Sequence, residues 1–190
     1  MSAYYPDNNS RQEDIMPDTL TAFAGVTHLA TGPAAEVALA IRRVADGTRV
    51  LVFSDATGRE TDLDVSGSED DIRARYAGTE EPRRRGRPRL GVTAREVTLL
   101  PRHWDWLAAQ PGGASATLRR LIDAARKQPE AQTRTARDAA YRFMAAIAGD
   151  YPGFEEAARA LYAGDRVALE ARFAPWPADI AGHALKLAFP

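Results

Sequence analysis

The sequence contains no cysteine. That excludes thiol nucleophiles, Cys-based zinc sites, Fe–S ligation and disulfide staples, and it fits a reducing compartment. No apolar run nears the roughly 20 residues a membrane helix needs. The first residues, MSAYYPDNNSRQEDIMPDTL, lack the basic-then-apolar order of a secretion signal. The expectation is a soluble, cytoplasmic protein that meets no membrane. Histidine is scarce, and His28, His103 and His183 sit in different segments with no partner at i+4, so the zinc-binding helix pattern is missing. A P-loop, a G-x-G-x-x-G turn and a G-x-S-x-G elbow are missing as well. Asp62 and Asp64 alternate along an expected strand and would share a face, which suits a metal or acid–base pair, but a solvated outer strand face explains them. His103 reads as an exposed polar residue in a first helical turn. With no convergent group, we expect no catalytic residue, metal or cofactor, and no enzyme.

What is present is a chain of 190 residues, 45% hydrophobic, enough for one or two domains with real cores. The formal charge of −1 hides opposed blocks. Residues 1–82 carry 7 Lys+Arg against 15 Asp+Glu, residues 83–137 carry 13 against 4, and residues 138–190 carry 5 against 7. A net of +9 over the central block draws polyanions toward it.

Residues 1–20 show no apolar period and read as a disordered tail. Residues 21–76 read as a small acidic α+β domain. In it, TAFAGVTHLA is β-prone, Val37, Ala40, Ile41 and Val44 form a helical stripe after Pro33, and Val50–Phe53 and Thr61–Val65 form strands around the turn SDATGRE. Ser68 then caps a short helix reaching Tyr76. Residues 77–92 read as a basic linker. Residues 138–190 read as a helical C-terminal part, with stripes at Ala140, Phe143, Met144, Ile147, at Phe154, Ala157, Ala158, Leu161, and at Ile180, Ala184, Leu187. The fold class is therefore α+β.

The linker ends in Arg83-Arg84-Arg85-Gly86-Arg87-Pro88-Arg89. Glycine lets the backbone approach a groove floor and proline keeps the chain extended, so the guanidinium groups suit a narrow A·T-rich minor groove. The core Arg85-Gly86-Arg87-Pro88 resembles the AT-hook motif, and the resemblance makes Arg85 and Arg87 the groove residues.

Beyond the arm, residues 93–127 read as strand, helix, glycine turn, helix. Arg95–Leu100 is β-prone, and Pro101 opens a helix whose Leu100, Trp104, Leu107 and Ala108 share a face. Gln110-Pro111-Gly112-Gly113 ends it, and Ser115 suits the cap of a helix with stripe Leu118, Leu121, Ile122, Ala125. The tryptophans Trp104 and Trp106 read as core of a helical hairpin. About 35 residues cannot bury both faces alone, so pairing the strand with a second copy would complete the core. The segment resembles a ribbon-helix-helix DNA-binding domain of the Arc and MetJ kind. The resemblance implies base contacts by Arg95, Val97 or Thr98, and backbone N–H groups presented to phosphate by the first turn of the second helix, Gly113 to Thr117 with Ser115. Leu99-Leu100 breaks the alternation, which leaves the register open by one residue, and a helix-turn-helix with 115–127 as reader also fits.

The runs GRPRLGVTAREVTLLPRHWDWLAAQPGGAS at 86–115 and YRFMAAIAGDYPGFEEAARALYAGDR at 141–166 resemble a bacterial family, domain-of-unknown-function family 2239, across residues 21–188. That resemblance implies one architecture and brings neither substrate nor catalytic residue. Taken together, the expectation is a homodimeric DNA-binding protein, a transcriptional regulator or nucleoid-associated factor. It would neutralise phosphates through Arg83, Arg84, Arg89, Arg119 and Arg120 and favour A·T-rich duplex. The rival is a non-enzymatic interaction or adaptor module whose arm meets an acidic protein surface or the chain's own acidic part. An enzyme using Asp62, Asp64 and His28 is a third, remoter reading.

Overall fold

The computed structural model describes residues 19–45, 47–77 and 94–190. The element order is β1 (Leu20–Ala24), β2 (Thr27–Gly32), α1 (Ala34–Arg42), β3 (Val50–Ser54), α2 (Glu69–Tyr76), α3 (Pro101–Ala108), α4 (Gly113–Arg126), α5 (Pro129–Ala148), α6 (Phe154–Ala163), α7 (Arg166–Phe173) and α8 (Ala178–Ala188). The expected mixed α+β class is what forms. The chain divides into two compact units, Met1–Gly78 with Thr135–Pro190, and Thr79–Arg134. The acidic α+β part and the helical C-terminal part, expected as separate, thus share one unit.

The first unit is built on a three-stranded antiparallel sheet of order β2-β1-β3. The β-prone stretch expected as one element is a hairpin, because Gly25 takes φ +62° and turns the chain at Gly25-Val26. Central β1 is covered on both faces, with Leu20, Thr21, Ala22 and Phe23 all buried. Side chains alternate between faces. Leu20, Ala22 and Val52 pack with Val37 of α1, whereas Phe23 and Phe53 enter the larger core formed by α5 to α8. There the rings of Phe23, Phe53 and Phe143 meet with centroids 4.9–6.4 Å apart, geometry that favours edge-to-face contact. The predicted C-terminal stripes supply this core through Phe143, Met144, Ala157, Leu161, Ile180 and Ala184. Helix α7 was not expected; Asp165 caps it, accepting the Ala168 N–H at 2.9 Å.

The strand expected at Thr61–Val65 does not form. After the turn at Gly58 (φ +66°) the chain makes one bridge, Phe53 to Glu60, and leaves the sheet. Thr61 still donates its N–H to the Val52 carbonyl at 2.9 Å, but the backbone of Asp64 is taken by α2 side chains: its N–H donates to Tyr76 Oη at 2.6 Å, and Arg75 donates to its carbonyl at 2.9 Å. The Ser68 cap expected for α2 is present as a capping box with Asp71, the Ser68 N–H donating to its carboxylate at 2.8 Å and the Asp71 N–H to Ser68 Oγ at 3.2 Å.

In the second unit α3 packs on α4, with Leu107 and Thr117 the buried side chains of the two helices. Gly112 and Gly113, at φ +86° and +74°, make the turn between them. Residues 95–100, whose expected strand partner is a second copy, form no strand within the single chain among the described residues. The expectation for the tryptophans is corrected here. Trp104 and Trp106 are 40% and 52% exposed, so they are not the core of a closed hairpin.

Candidate functional site

Arg83, Arg84, Arg85, Gly86, Arg87, Pro88 and Arg89, the AT-hook-like arm, lie outside the described residues. Arg95, Val97 and Thr98 are exposed in the segment before α3. Helix α4 begins at Gly113, so Ser115 lies inside the helix and does not cap it; Gly112 holds the N-cap position without a side-chain bond. No acidic residue occupies the first turn of α4. Thr117 is fully buried, and its hydroxyl lacks a hydrogen-bond partner, so only the backbone of this residue is left for the phosphate role the resemblance implies.

Helix α4 has two chemically opposed arcs. At about 100° per residue, Ala114, Thr117, Leu118, Leu121, Ile122 and Ala125 fall within about 140° of one another, and Arg119, Arg120, Arg126 and Lys127 fall on the remaining side. The four cations are exposed and make no ion pair among the described residues. Asp123 stands at the centre of their arc. The apolar arc is only partly covered, with Leu121 45% and Ile122 56% exposed.

A second constellation lies in the first unit, and it was missed as a group. A β-bulge between Ala22 and Phe23 moves the partner on β2 from Ala30 to His28. Residues 28 and 31, an odd number apart, would otherwise point to opposite faces; the extra residue lets His28 and Thr31 meet. His28 Nε2 lies 2.8 Å from Thr31 Oγ1, Thr31 Oγ1 3.0 Å from Thr21 Oγ1, and the Thr21 hydroxyl donates to Asp55 Oδ1 at 2.7 Å. Because Thr21 spends its proton on a carboxylate, Thr31 must donate to Thr21, and His28 must donate from Nε2. All three donors therefore run toward Asp55.

Helix α8 completes the group from one face. Asp179 accepts the His28 N–H at 2.8 Å, Lys186 Nζ lies 3.1 Å from Asp55 Oδ2, and His183 Nε2 lies 3.5 Å from Asp55 Oδ1 without completing a hydrogen bond. Burial lowers the His183 pKa to about 4, opposed by the Asp55 charge and reinforced by Lys186 and His28. The i, i+4, i+7 spacing of Asp179, His183 and Lys186 was readable as one helix face; its meeting with Asp55 and the bulged strand was not.

Asp62 is exposed. Asp64 is engaged locally: Ser66 donates to it from both backbone and hydroxyl, which holds its carboxyl below the usual range, and Arg75 lies 3.3 Å away. The two do not share a strand face. Among the described residues no group of three or more His, Asp or Glu is placed to hold a metal ion, and no helix is long and apolar enough to cross a membrane.

No curated protein and no solved structure matches the chain. Residues 19–188 match the profile of DUF2239, described as an uncharacterized protein conserved in bacteria, so the chain belongs to that family.

Proposed function

We propose that this protein binds DNA. One observation carries the reading: Arg119, Arg120, Arg126 and Lys127 project from one side of α4 with no carboxylate partner among the described residues. Had those charges been neutralised internally, no field would remain to recruit a polyanion. The exposed part of the apolar arc of the same helix, Leu121 and Ile122, suits a second copy, as a ribbon-helix-helix-like dimer requires, with residues 95–100 gaining in the dimer the strand partner a single chain lacks. The arm at Arg85 and Arg87 adds the A·T-rich minor-groove contact, and a cytoplasmic regulator or nucleoid-associated factor is the role that follows.

The test is fluorescence anisotropy with A·T-rich and G·C-rich duplexes at two salt concentrations. The expected result is tighter binding to A·T-rich duplex, a steep loss with salt, and weakening by both Arg119→Ala/Arg120→Ala and Arg85→Ala/Arg87→Ala. Absence of binding at low salt, or binding unchanged in both double variants, overturns the reading. The adaptor reading rests on exposed Trp104 and Trp106, which suit a protein interface. A strict monomer in solution that binds no DNA decides for it.

A further inference from the structure

The buried polar and charged residues among those described are Thr21, Ser54, Thr117 and His183. Of these, His183 alone can gain a full charge near neutral pH. It sits where α8 meets the sheet, with Nε2 enclosed and unbonded. The rings of Phe23 and Phe143 lie against it, centroids 5.5 and 4.7 Å away. The titratable groups facing it are Asp55 from the turn after β3, Lys186 on its own helix, and His28 on β2, while Asp179 is held by the His28 backbone.

Asp55 would be the natural counter-ion for a protonated His183, but it is already engaged. Its Oδ1 accepts the Thr21 hydroxyl and its Oδ2 lies 3.1 Å from Lys186 Nζ. A proton on His183 would set a second cation beside a carboxylate that Lys186 already pairs with, in a space bounded by two phenyl rings; the Asp55 charge favours that proton, and the enclosure outweighs it. Desolvating that charge is unfavourable, and water lies only a helix displacement away. Opposing that displacement are the buried faces of Ile180, Ala184, Leu187 and Ala188, together with the Asp179 and Lys186 contacts. Those two contacts are exposed and individually weak.

We propose that His183 is an acid-sensitive latch for α8: neutral, it lets the helix lie on the sheet; protonated, it drives a local opening that carries the imidazolium into water and uncovers the apolar face of α8. The inference is independent of the DNA reading. Its sign follows from linkage. A group whose pKa falls on burial binds more protons in the open form, so closure is secure above the open-state pKa and is lost as pH falls toward the closed-state one. With 6.5 for the open ring and about 4 for the closed ring, opening is about twentyfold more favourable at pH 5 than at pH 7.

The experiment is amide hydrogen exchange on the full chain at pH 7 and pH 5, corrected for intrinsic rates, in the wild type and in His183→Leu. The expected result is an opening constant for the amides of Ala184 to Leu187 about twentyfold larger at pH 5, with β1 and β3 protection unchanged and the α8 response abolished in His183→Leu. Equal α8 protection at both pH values overturns the latch. So does loss of β1 and β3 protection in step with α8, which is global acid unfolding, or a full response retained in His183→Leu. If that variant does not fold, the ring resonances of His183 in the wild type decide: titration in parallel with α8 opening supports the latch, and titration without it refutes it.

Discussion

Gly58 lies so close to Ala139 that a Cβ at this position would overlap the carbonyl oxygen and carbon of that residue. The turn after β3 is thereby seated on α5, where Arg142 also donates to the Thr57 carbonyl at 3.0 Å. Gly58→Ala therefore meets two penalties, a left-handed φ of +66° and a backbone clash that no side-chain rotation relieves. We expect a loss of more than about 2 kcal/mol in urea unfolding. Gly25→Ala is the control, because Gly25 has a similar φ of +62° but open space around it, and it should lose only about 1 kcal/mol.

Thr117→Val should act in the other direction. The Thr117 hydroxyl is buried without a hydrogen-bond partner, and valine keeps the shape while removing the desolvated group. A gain of about 1 kcal/mol is expected, read as a raised denaturation midpoint. A loss of similar size would mean that the hydroxyl is bonded in solution.

Much of the first unit was legible because its signals are local. The stripe Ala140, Phe143, Met144 follows helical period, Ser68 and Asp71 announce their helix start, and the VLVF run is a strand. Legibility failed where tertiary partners decide. Thr61–Val65 alternates like a strand, yet Tyr76 and Arg75 claim the backbone of Asp64 within it. The sharing of a core by Phe23 and Phe143 depends on contacts over more than a hundred residues, which no local period reports. The polar group around Asp55 was hidden for the same reason, since its members come from β1, β2, the turn after β3 and α8. In the basic centre, the charge of α4 was readable as a run of arginines, but exposure of Trp104 and Trp106 was not, because apolar composition does not say whether a cover exists.

The donor chain from His28 to Asp55 predicts a gradient of mutational cost. Thr21 is fully buried and bonds both Thr31 and Asp55. Thr21→Val leaves the buried-side oxygen of Asp55 without its hydroxyl donor and strands Thr31, at a cost of about 1–3 kcal/mol. Thr31→Val removes the bonds to His28 and Thr21 but leaves the Thr21–Asp55 bond intact, at an exposed position where water can replace the lost hydroxyl, and should cost no more than about 1 kcal/mol. Urea unfolding of the two variants checks the order; equal costs would mean the chain does not act as a directed series.

Asp123 supplies a test of the DNA reading that runs against the usual direction of loss. It lies at i±3 or i±4 from Arg119, Arg120, Arg126 and Lys127, in the middle of the arc proposed to face phosphate, and it forms no ion pair among the described residues. A carboxylate in that position repels the ligand the four cations attract. Asp123→Asn removes the repulsion without changing shape, so duplex affinity at low salt should rise about two- to fivefold, with the gain shrinking as salt screens it. Arg119→Ala should lower affinity and reduce the steepness of the log–log salt dependence by about 0.9. Anisotropy titrations at several salt concentrations give both quantities. If Asp123→Asn weakens binding or leaves it unchanged while Arg119→Ala also leaves it unchanged, α4 does not face the DNA.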